Sequence, residues 1–185
     1  MQYLRVTLVQ PDIVWEDEQA NLEKYDGLLQ EANGPDLVVL PEMFNTGFSM
    51  KAPDLAQAMD GPAVRWLESK ANAFNAVMVA SLIIEEGGYY YNRLIWMEPG
   101  GQYQTYDKRH LFSMTEEPRH FTPGQDKLVV SWKGWKICPM VCFDLRFPVW
   151  IRNAEEYDCF IVNANWPDRR SNHWRTFLQA RAIEN

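Results

Sequence analysis

The sequence predicts a layered α/β domain with a mixed sheet. Three observations point there. Short apolar runs such as "DLVVLPE" read as buried strands, and stretches with apolar residues three and four apart alternate with them. A block of strands joined by glycine turns interrupts that alternation in mid-chain. The 185 residues suit a single domain, 1–185, able to bury a real core. Periodicity alone does not decide between one sheet and two.

The elements follow in order. "YLRVTLVQ" alternates Leu4, Val6 and Leu8 with Arg5 and Thr7, which predicts a strand. From Asp17 to Asn33, Leu22, Tyr25, Leu28, Leu29 and Ala32 recur at helical spacing, and "NGP" ends the helix. "DLVVLPE" is the second strand, and a loop, "MFNTGFSMKAPDLAQAMDGP", follows it. Val64, Leu67, Ala71 and Phe74 then mark a second amphipathic helix. "AVMVASLIIEE", "YYYNRLIWM" and "QYQTYDK" read as three strands joined by hairpin signals at "EEGG" and "EPGG".

Arg109 to Gln125 is polar and aperiodic and reads as a long surface loop, a type of segment that often carries function. "KLVVSWKGWKICPMVC" gives two strands around a Lys-Gly turn. A helix over about 148–155, the strand "YDCFIVNAN" and a helix from about Ser171 to the end complete the chain. That last pattern is still in full course at Asn185, with no stop signal.

The composition narrows the function. The chain is 46% hydrophobic and 23% charged with a formal net charge of −7, and no stripe of Lys or Arg offers itself to a polyanion. No stretch approaches the roughly 20 apolar residues of a membrane span. These features predict no nucleic-acid and no membrane partner. Cys138, Cys142 and Cys159 form neither a CxxC pair nor a zinc framework. A cytoplasmic setting, where a thiol stays reduced, is the expectation.

Three predicted strands each deliver a chemically capable residue at the carboxyl end, where ligands bind in α/β sheets. "LVVLPE" brings Glu42, "YQTYDK" brings Lys108 and "ICPMVC" brings Cys142. Alone, each has a plain explanation: a solvated or helix-capping acid, a hydrated charged turn, a core thiol. Together they are a base, an oxyanion stabiliser and a nucleophile.

"LVVLPEMF", "YDKRHLF" and "VCFDLRFP" resemble, in order and spacing, the three signature segments of the nitrilase superfamily of carbon–nitrogen hydrolases. "FTPG" and "NANWP…R…W…ARAIEN" match as well, so the resemblance spans the whole chain. It implies an α-β-β-α sandwich of two mixed sheets with helices outside. It also implies that Glu42, Lys108 and Cys142 are the catalytic triad. A further acid is implied in the loop at Glu117, with Glu116 beside it as the alternative. Members of the family continue beyond "RAIEN", so the resemblance implies that 1–185 is C-terminally incomplete. The part beyond would supply strands of the second sheet and a tail used in a homodimer of the full-length protein.

By that resemblance Cys142 attacks an amide carbonyl, and Lys108 with the backbone N–H of Phe143 holds the oxyanion. Glu42 moves the protons, and Glu117 orients Lys108 or the substrate. No metal and no organic cofactor is implied. The partner is a small-molecule amide.

Arg146, four residues past the nucleophile, is a candidate for binding a substrate carboxylate, with a structural ion pair to Asp144 as the alternative. Trp166, Phe44 and Phe112 are candidate apolar walls. "PEMFNTGFSM" resembles the omega-amidase branch, which implies the terminal amide of a dicarboxylic monoamide of the 2-oxoglutaramate type as substrate. The alternatives are a nitrile, a carbamoyl group or another amide as substrate, or an inactive fragment.

Overall fold

A computed structural model describes residues 3–185. Strands β1 (Val6–Leu8), β2 (Leu37–Val39), β3 (Val77–Glu86), β4 (Tyr89–Met97) and β5 (Tyr103–Asp107) form one sheet in that order. The pairs β1–β2 and β2–β3 are parallel, whereas β3–β4 and β4–β5 are antiparallel. A second sheet is built from β6 (Val130–Trp132), β7 (Trp135–Val141) and β8 (Cys159–Asn163). In it β7 pairs antiparallel with β6 and parallel with β8. Both sheets are mixed, as expected.

The helices are α1 (Glu18–Leu29), α2 (Ala52–Leu55), α3 (Pro62–Phe74), α4 (Glu117–His120), α5 (Pro148–Ile151) and α6 (Ser171–Glu184). Helix α1 starts where the Asp17 carboxylate accepts the N–H of Ala20 at 3.0 Å, a side-chain N-cap. Helix α3 ends on Asn75 at φ +48, a left-handed cap that asparagine tolerates.

Successive residues of a strand face opposite ways, and β3 uses both sides. Met78, Ala80, Leu82 and Ile84 join Tyr25 and Leu29 of α1 and Val64, Leu67 and Ala71 of α3 in one buried cluster. Val77 and Val79 join Leu37, Val39, Leu94 and Trp96 against Ile137, Met140 and Val141 of the second sheet in another. The layers are thus helix, sheet, sheet. Helix α6 packs against the 3-10 turn Cys142–Arg146, and its buried Arg181 donates from Nε to the carbonyl of Leu145 at 3.1 Å.

The structure corrects two local expectations and adds one detail at β1. Segment 109–125 is not a surface loop. It carries α4, buries Glu117 and Phe121, and is pinned inward by Thr122 N–H to Tyr90 O (2.7 Å) and Gly124 N–H to Lys108 O (3.0 Å). The helix expected over about 148–155 ends at Ile151, because the Asn153 amide bonds both the N–H and the carbonyl of Tyr157 and folds the chain into a loop. In β1, Val6 and Leu8 are exposed. They lie in register with Leu37 and Val39, on the inter-sheet face, at a position the smaller sheet leaves uncovered.

Turn chemistry follows the residues. Lys133 (φ +46) and Gly134 (φ +80) connect β6 to β7, and Gly87 (φ +62) and Gly88 (φ +82) connect β3 to β4. Two consecutive left-handed residues are what a tight hairpin matching the strand twist requires.

Candidate active site

Glu42 is held by the edge of β3 after the chain has left β2. Leu40 N–H donates to Val79 O (2.8 Å), Met43 N–H to Ser81 Oγ (3.0 Å) and Phe44 N–H to Ser81 O (3.1 Å). Lys108 follows β5 directly and is fixed from both sides, its N–H on Asn92 O and its carbonyl on Gly124 N–H, each at 3.0 Å. Cys142 follows β7 at φ +44. A non-glycine residue in that region costs about 1–3 kcal/mol and persists only where its surroundings enforce it. Here the sharp bend turns the thiol toward the other two residues.

The charged side chains meet in the interior. Lys108, Glu42 and Glu117 are each completely buried. Lys108 Nζ donates to Glu42 Oε1 at 2.7 Å and to Glu117 Oε1 and Oε2 at 2.9 and 3.0 Å. Asn92 Nδ2 donates to Glu42 Oε1 (2.8 Å) and Glu117 Oε1 (3.2 Å). Asn165 N–H donates to Glu42 Oε2 at 3.0 Å, and the same carboxylate lies near enough to Cys142 to raise its thiol pKa. Phe112 N–H bonds Glu117 Oε2. Glu116, the alternative to Glu117, is exposed and pairs with Arg119.

Electrostatics follow from burial and these neighbours. Burial works against the Lys108 ammonium, but Glu42 and Glu117 outweigh it and its pKa is raised. Burial pushes the Cys142 thiol well up, and the Glu42 carboxylate adds to this against the pull of Lys108. Glu117 is raised by burial, with Lys108 opposing and Glu42 adding. Cys142 is therefore a neutral thiol at rest, beside a carboxylate that can take its proton.

A cavity of about 170 Å³ opens on Cys142, Glu42 and Lys108, small enough for a short molecule and not a polymer. Phe143, Arg146, Phe112 and Trp166 line it, as the sequence suggested. Phe44 does not. Its ring packs between Tyr25 and Trp66, at 5.5 and 5.7 Å, in the core between helices and sheet. Phe48 is the wall in its place, with its ring centre 5.1 Å from Lys108 Nζ.

Arg146 does not pair with Asp144 and makes no ion pair among the described residues. Its guanidinium lies 5.3 Å from the Trp166 ring and 5.0 Å from the Phe177 ring, and its buried Nε has no partner. Burial and the nearby Arg170 lower its pKa.

Several residues escaped the sequence reading. Asn92 had a visible signal, a polar side chain amid the apolar run of β4. Thr115 lies in an irregular segment and gave none, Arg170 ends a short 3-10 turn, and Asn165 lies within the quoted "NANWP" stretch without being singled out. Among the described residues no cluster of three or more His, Cys, Asp or Glu side chains could hold a metal ion.

The sequence profile described as "Carbon-nitrogen hydrolase" matches residues 5–185. The chain belongs to the carbon-nitrogen hydrolase family. Within it, the chain is 46% identical over its whole length to omega-amidase YafV of Escherichia coli (strain K12), covering 72% of that protein. It is 30% identical to 2-oxoglutaramate amidase of Bacillus subtilis, with 97% of the chain and 72% of that protein covered. The structure of XC1258 from Xanthomonas campestris, a CN-hydrolase superfamily protein, superposes with a TM-score of 0.96 at 43% identity, over 100% of this chain and 73% of that one. An amidase from Nesterenkonia sp. AN1 superposes at 0.86 with 27% identity, over 99% of this chain and 75% of that one, and its structure carries acrylamide added at the active-site cysteine. The fold is that of the nitrilase superfamily, and the chain is a carbon–nitrogen hydrolase.

Proposed function

We propose that this hydrolase is an omega-amidase, which cleaves the terminal amide of a short dicarboxylic monoamide of the 2-oxoglutaramate type to carboxylate and ammonia. The observation that carries this reading is one small cavity lined by Cys142, by Glu42 and Lys108 of the buried Glu–Lys–Glu cluster, and by an arginine that makes no ion pair among the described residues. The names of the Escherichia coli and Bacillus subtilis relatives support it.

In this reading the Cys142 sulfur attacks the amide carbon while its proton passes to Glu42 Oε2. The carbonyl oxygen becomes an anion and is received by Lys108 Nζ and the N–H of Phe143, which stands in the first turn of a helical segment, where an N–H lacks an intrahelical acceptor. A preorganised donor of this kind is worth on the order of 10²–10³ in rate. Collapse breaks the carbon–nitrogen bond, Glu42 returns the proton to the departing nitrogen, and ammonia leaves a thioester on Cys142. Glu42 then takes a proton from water, whose oxygen attacks the thioester carbonyl. The acid departs and the thiol is restored.

Arg146 supplies the recognition. A guanidinium matches a carboxylate through two parallel hydrogen bonds. Its unpartnered Nε, between aromatic faces and near a second guanidinium on Arg170, leaves a cationic pocket wall in an otherwise acidic protein. Phe48, Phe112, Phe143 and Trp166 make much of the remaining lining apolar, which favours a short acid over a highly charged one. Among the described residues no helix is long and apolar enough to cross a membrane, and a cytoplasmic setting that keeps Cys142 reduced fits this chemistry.

The test is ammonia release by the purified protein from 2-oxoglutaramate, an aliphatic nitrile and an N-carbamoyl amino acid. The highest kcat/KM on 2-oxoglutaramate is expected. A preference for the nitrile or the carbamoyl compound would reject the omega-amidase reading.

A further inference from the structure

Asp144 lies two residues past Cys142, is completely buried and does not line the cavity. A buried carboxylate is costly unless its oxygens are hydrogen-bonded, and this one takes four donors. Oδ1 accepts the backbone N–H of His110 and bonds ring Nδ1 of the same residue, both at 2.8 Å. Oδ2 accepts the Tyr106 hydroxyl at 2.7 Å and the N–H of Val141 at 3.2 Å.

The donors come from two segments. Tyr106 and His110 stand two residues before and two residues after Lys108. Val141 immediately precedes Cys142, so the bond from Val141 to Asp144 closes the turn over the one residue held at φ +44.

The staple is itself braced. The Tyr106 oxygen accepts Trp150 Nε1 (3.1 Å) and Arg109 N–H (3.2 Å), which commits its own proton to Asp144. The His110 ring stacks on Phe147, with centres 3.7 Å apart and planes 9° apart.

We infer that Asp144 is a positioning residue, a single carboxylate that ties the Lys108 segment to the Cys142 bend and so sets the alignment of oxyanion donor and nucleophile. It works through those two residues without touching the substrate. The inference rests on the roles proposed for Cys142 and Lys108, and not on which amide is cleaved. Any ridge of packing can hold two strands near each other. A shared acceptor with four directed bonds fixes distance and angle together, and misplacement of about 1 Å costs as much as 10² in rate.

The test is Asp144→Asn, which keeps the shape but turns an NH2 group toward two donors. Two rates are compared with those of the wild type: ammonia release from whichever amide the wild type hydrolyses best, and alkylation of Cys142 by iodoacetamide. Alkylation needs the sulfur but creates no carbonyl oxyanion for Lys108 to hold. The expected result, in a variant folded by circular dichroism, is a fall in kcat of about 10²-fold with KM little changed and alkylation nearly unaffected.

If Asp144→Asn does not fold, Tyr106→Phe removes one bond of the staple and is expected to show the same split in smaller size. An unchanged kcat in a folded variant, or equal loss of both rates, overturns the inference. Absence of ammonia release by the wild type on every amide would instead count against the proposed function.

Discussion

Lys108 Nζ faces both carboxylate oxygens of Glu117, at 2.9 and 3.0 Å, while it touches only one oxygen of Glu42, at 2.7 Å. The two acids therefore do different work. Glu117 spends both oxygens on holding the ammonium, with Phe112 N–H also on Oε2. Glu42 Oε2 takes the Asn165 N–H at 3.0 Å and not the ammonium, and the proposed mechanism uses this oxygen to exchange the proton.

Glu117→Gln tests that division. It preserves size but removes a charge from a completely buried ammonium, so Lys108 loses its alignment. Steady-state kinetics should show kcat lowered by about 10²-fold with KM nearly constant. A kcat equal to the wild type would remove Glu117 from the machinery.

The three cysteines separate by environment. Cys142→Ala should abolish turnover and leave the fold intact. Cys138→Ala deletes a fully buried thiol and should cost about 1 kcal/mol of stability, with activity retained. Cys159→Ala, at a partly exposed site, should cost less. Iodoacetamide should label Cys142 first, because of the three cysteines it alone lines the cavity, with Glu42 there to take the thiol proton, and substrate should block it.

The pH dependence of that labelling follows from the raised thiol pKa. A raised pKa means that the thiolate is scarce at neutral pH, so the rate should keep climbing through the ordinary thiol range near pH 8.5 without levelling off. Cys138, pushed up to about 12, should stay unlabelled throughout. Peptide mapping of the alkylated protein reads all of this, and first labelling at Cys159 would contradict it.

Arg146→Gln separates binding from chemistry. If the guanidinium holds the substrate carboxylate equally in ground and transition states, KM for 2-oxoglutaramate rises and kcat stays near the wild type. A charge-assisted hydrogen bond is worth about 1.5–3 kcal/mol, so its removal corresponds to roughly a 10- to 100-fold rise. A neutral short amide should show no such rise. Equal effects on both substrates would return Arg146 to a packing role.

Gly124 shows how a position distant in sequence can act on the site. A Cβ there would overlap the carbonyl oxygen of Asp107, next to Lys108, whose carbonyl accepts the Gly124 N–H. Gly124→Ala should lower both the melting temperature and kcat, as thermal denaturation and kinetics would report. A neutral result would mean that the 109–125 segment does not help to place the lysine.

Much of the framework was legible because it rests on local signals. Apolar runs bounded by glycine turns located the long strands β3 and β4, and the period-3.6 pattern located helices α1 and α3, whose apolar faces have a partner sheet or helix. The residues after β2 and β7 stood out because each breaks an apolar run, and Lys108 because it follows the strand directly. What stayed hidden depends on contacts distant in sequence. Nothing near Asp144 shows that its partners are Tyr106 and His110, so Arg146, two residues away, looked like an equal candidate. Phe44 and Phe48 are indistinguishable by type. Only the left-handed Met43, φ +48, in the turn that precedes them accompanies the sending of one ring into the core and the other to the cavity. Segment 109–125 looked solvated because many of its polar side chains, Ser113, Thr115 and Glu116 among them, are exposed, while the backbone bonds that pin it run to Tyr90 and Lys108, distant in sequence or outside the segment.

The most direct measurement is mass spectrometry of the enzyme quenched in acid during turnover of 2-oxoglutaramate, followed by peptide mapping. The account predicts an acyl adduct, labile to hydroxylamine, on the peptide that carries Cys142, and its loss in Cys142→Ala. Ammonia release with no adduct on Cys142, or an adduct on Cys138 or Cys159 instead, would contradict it.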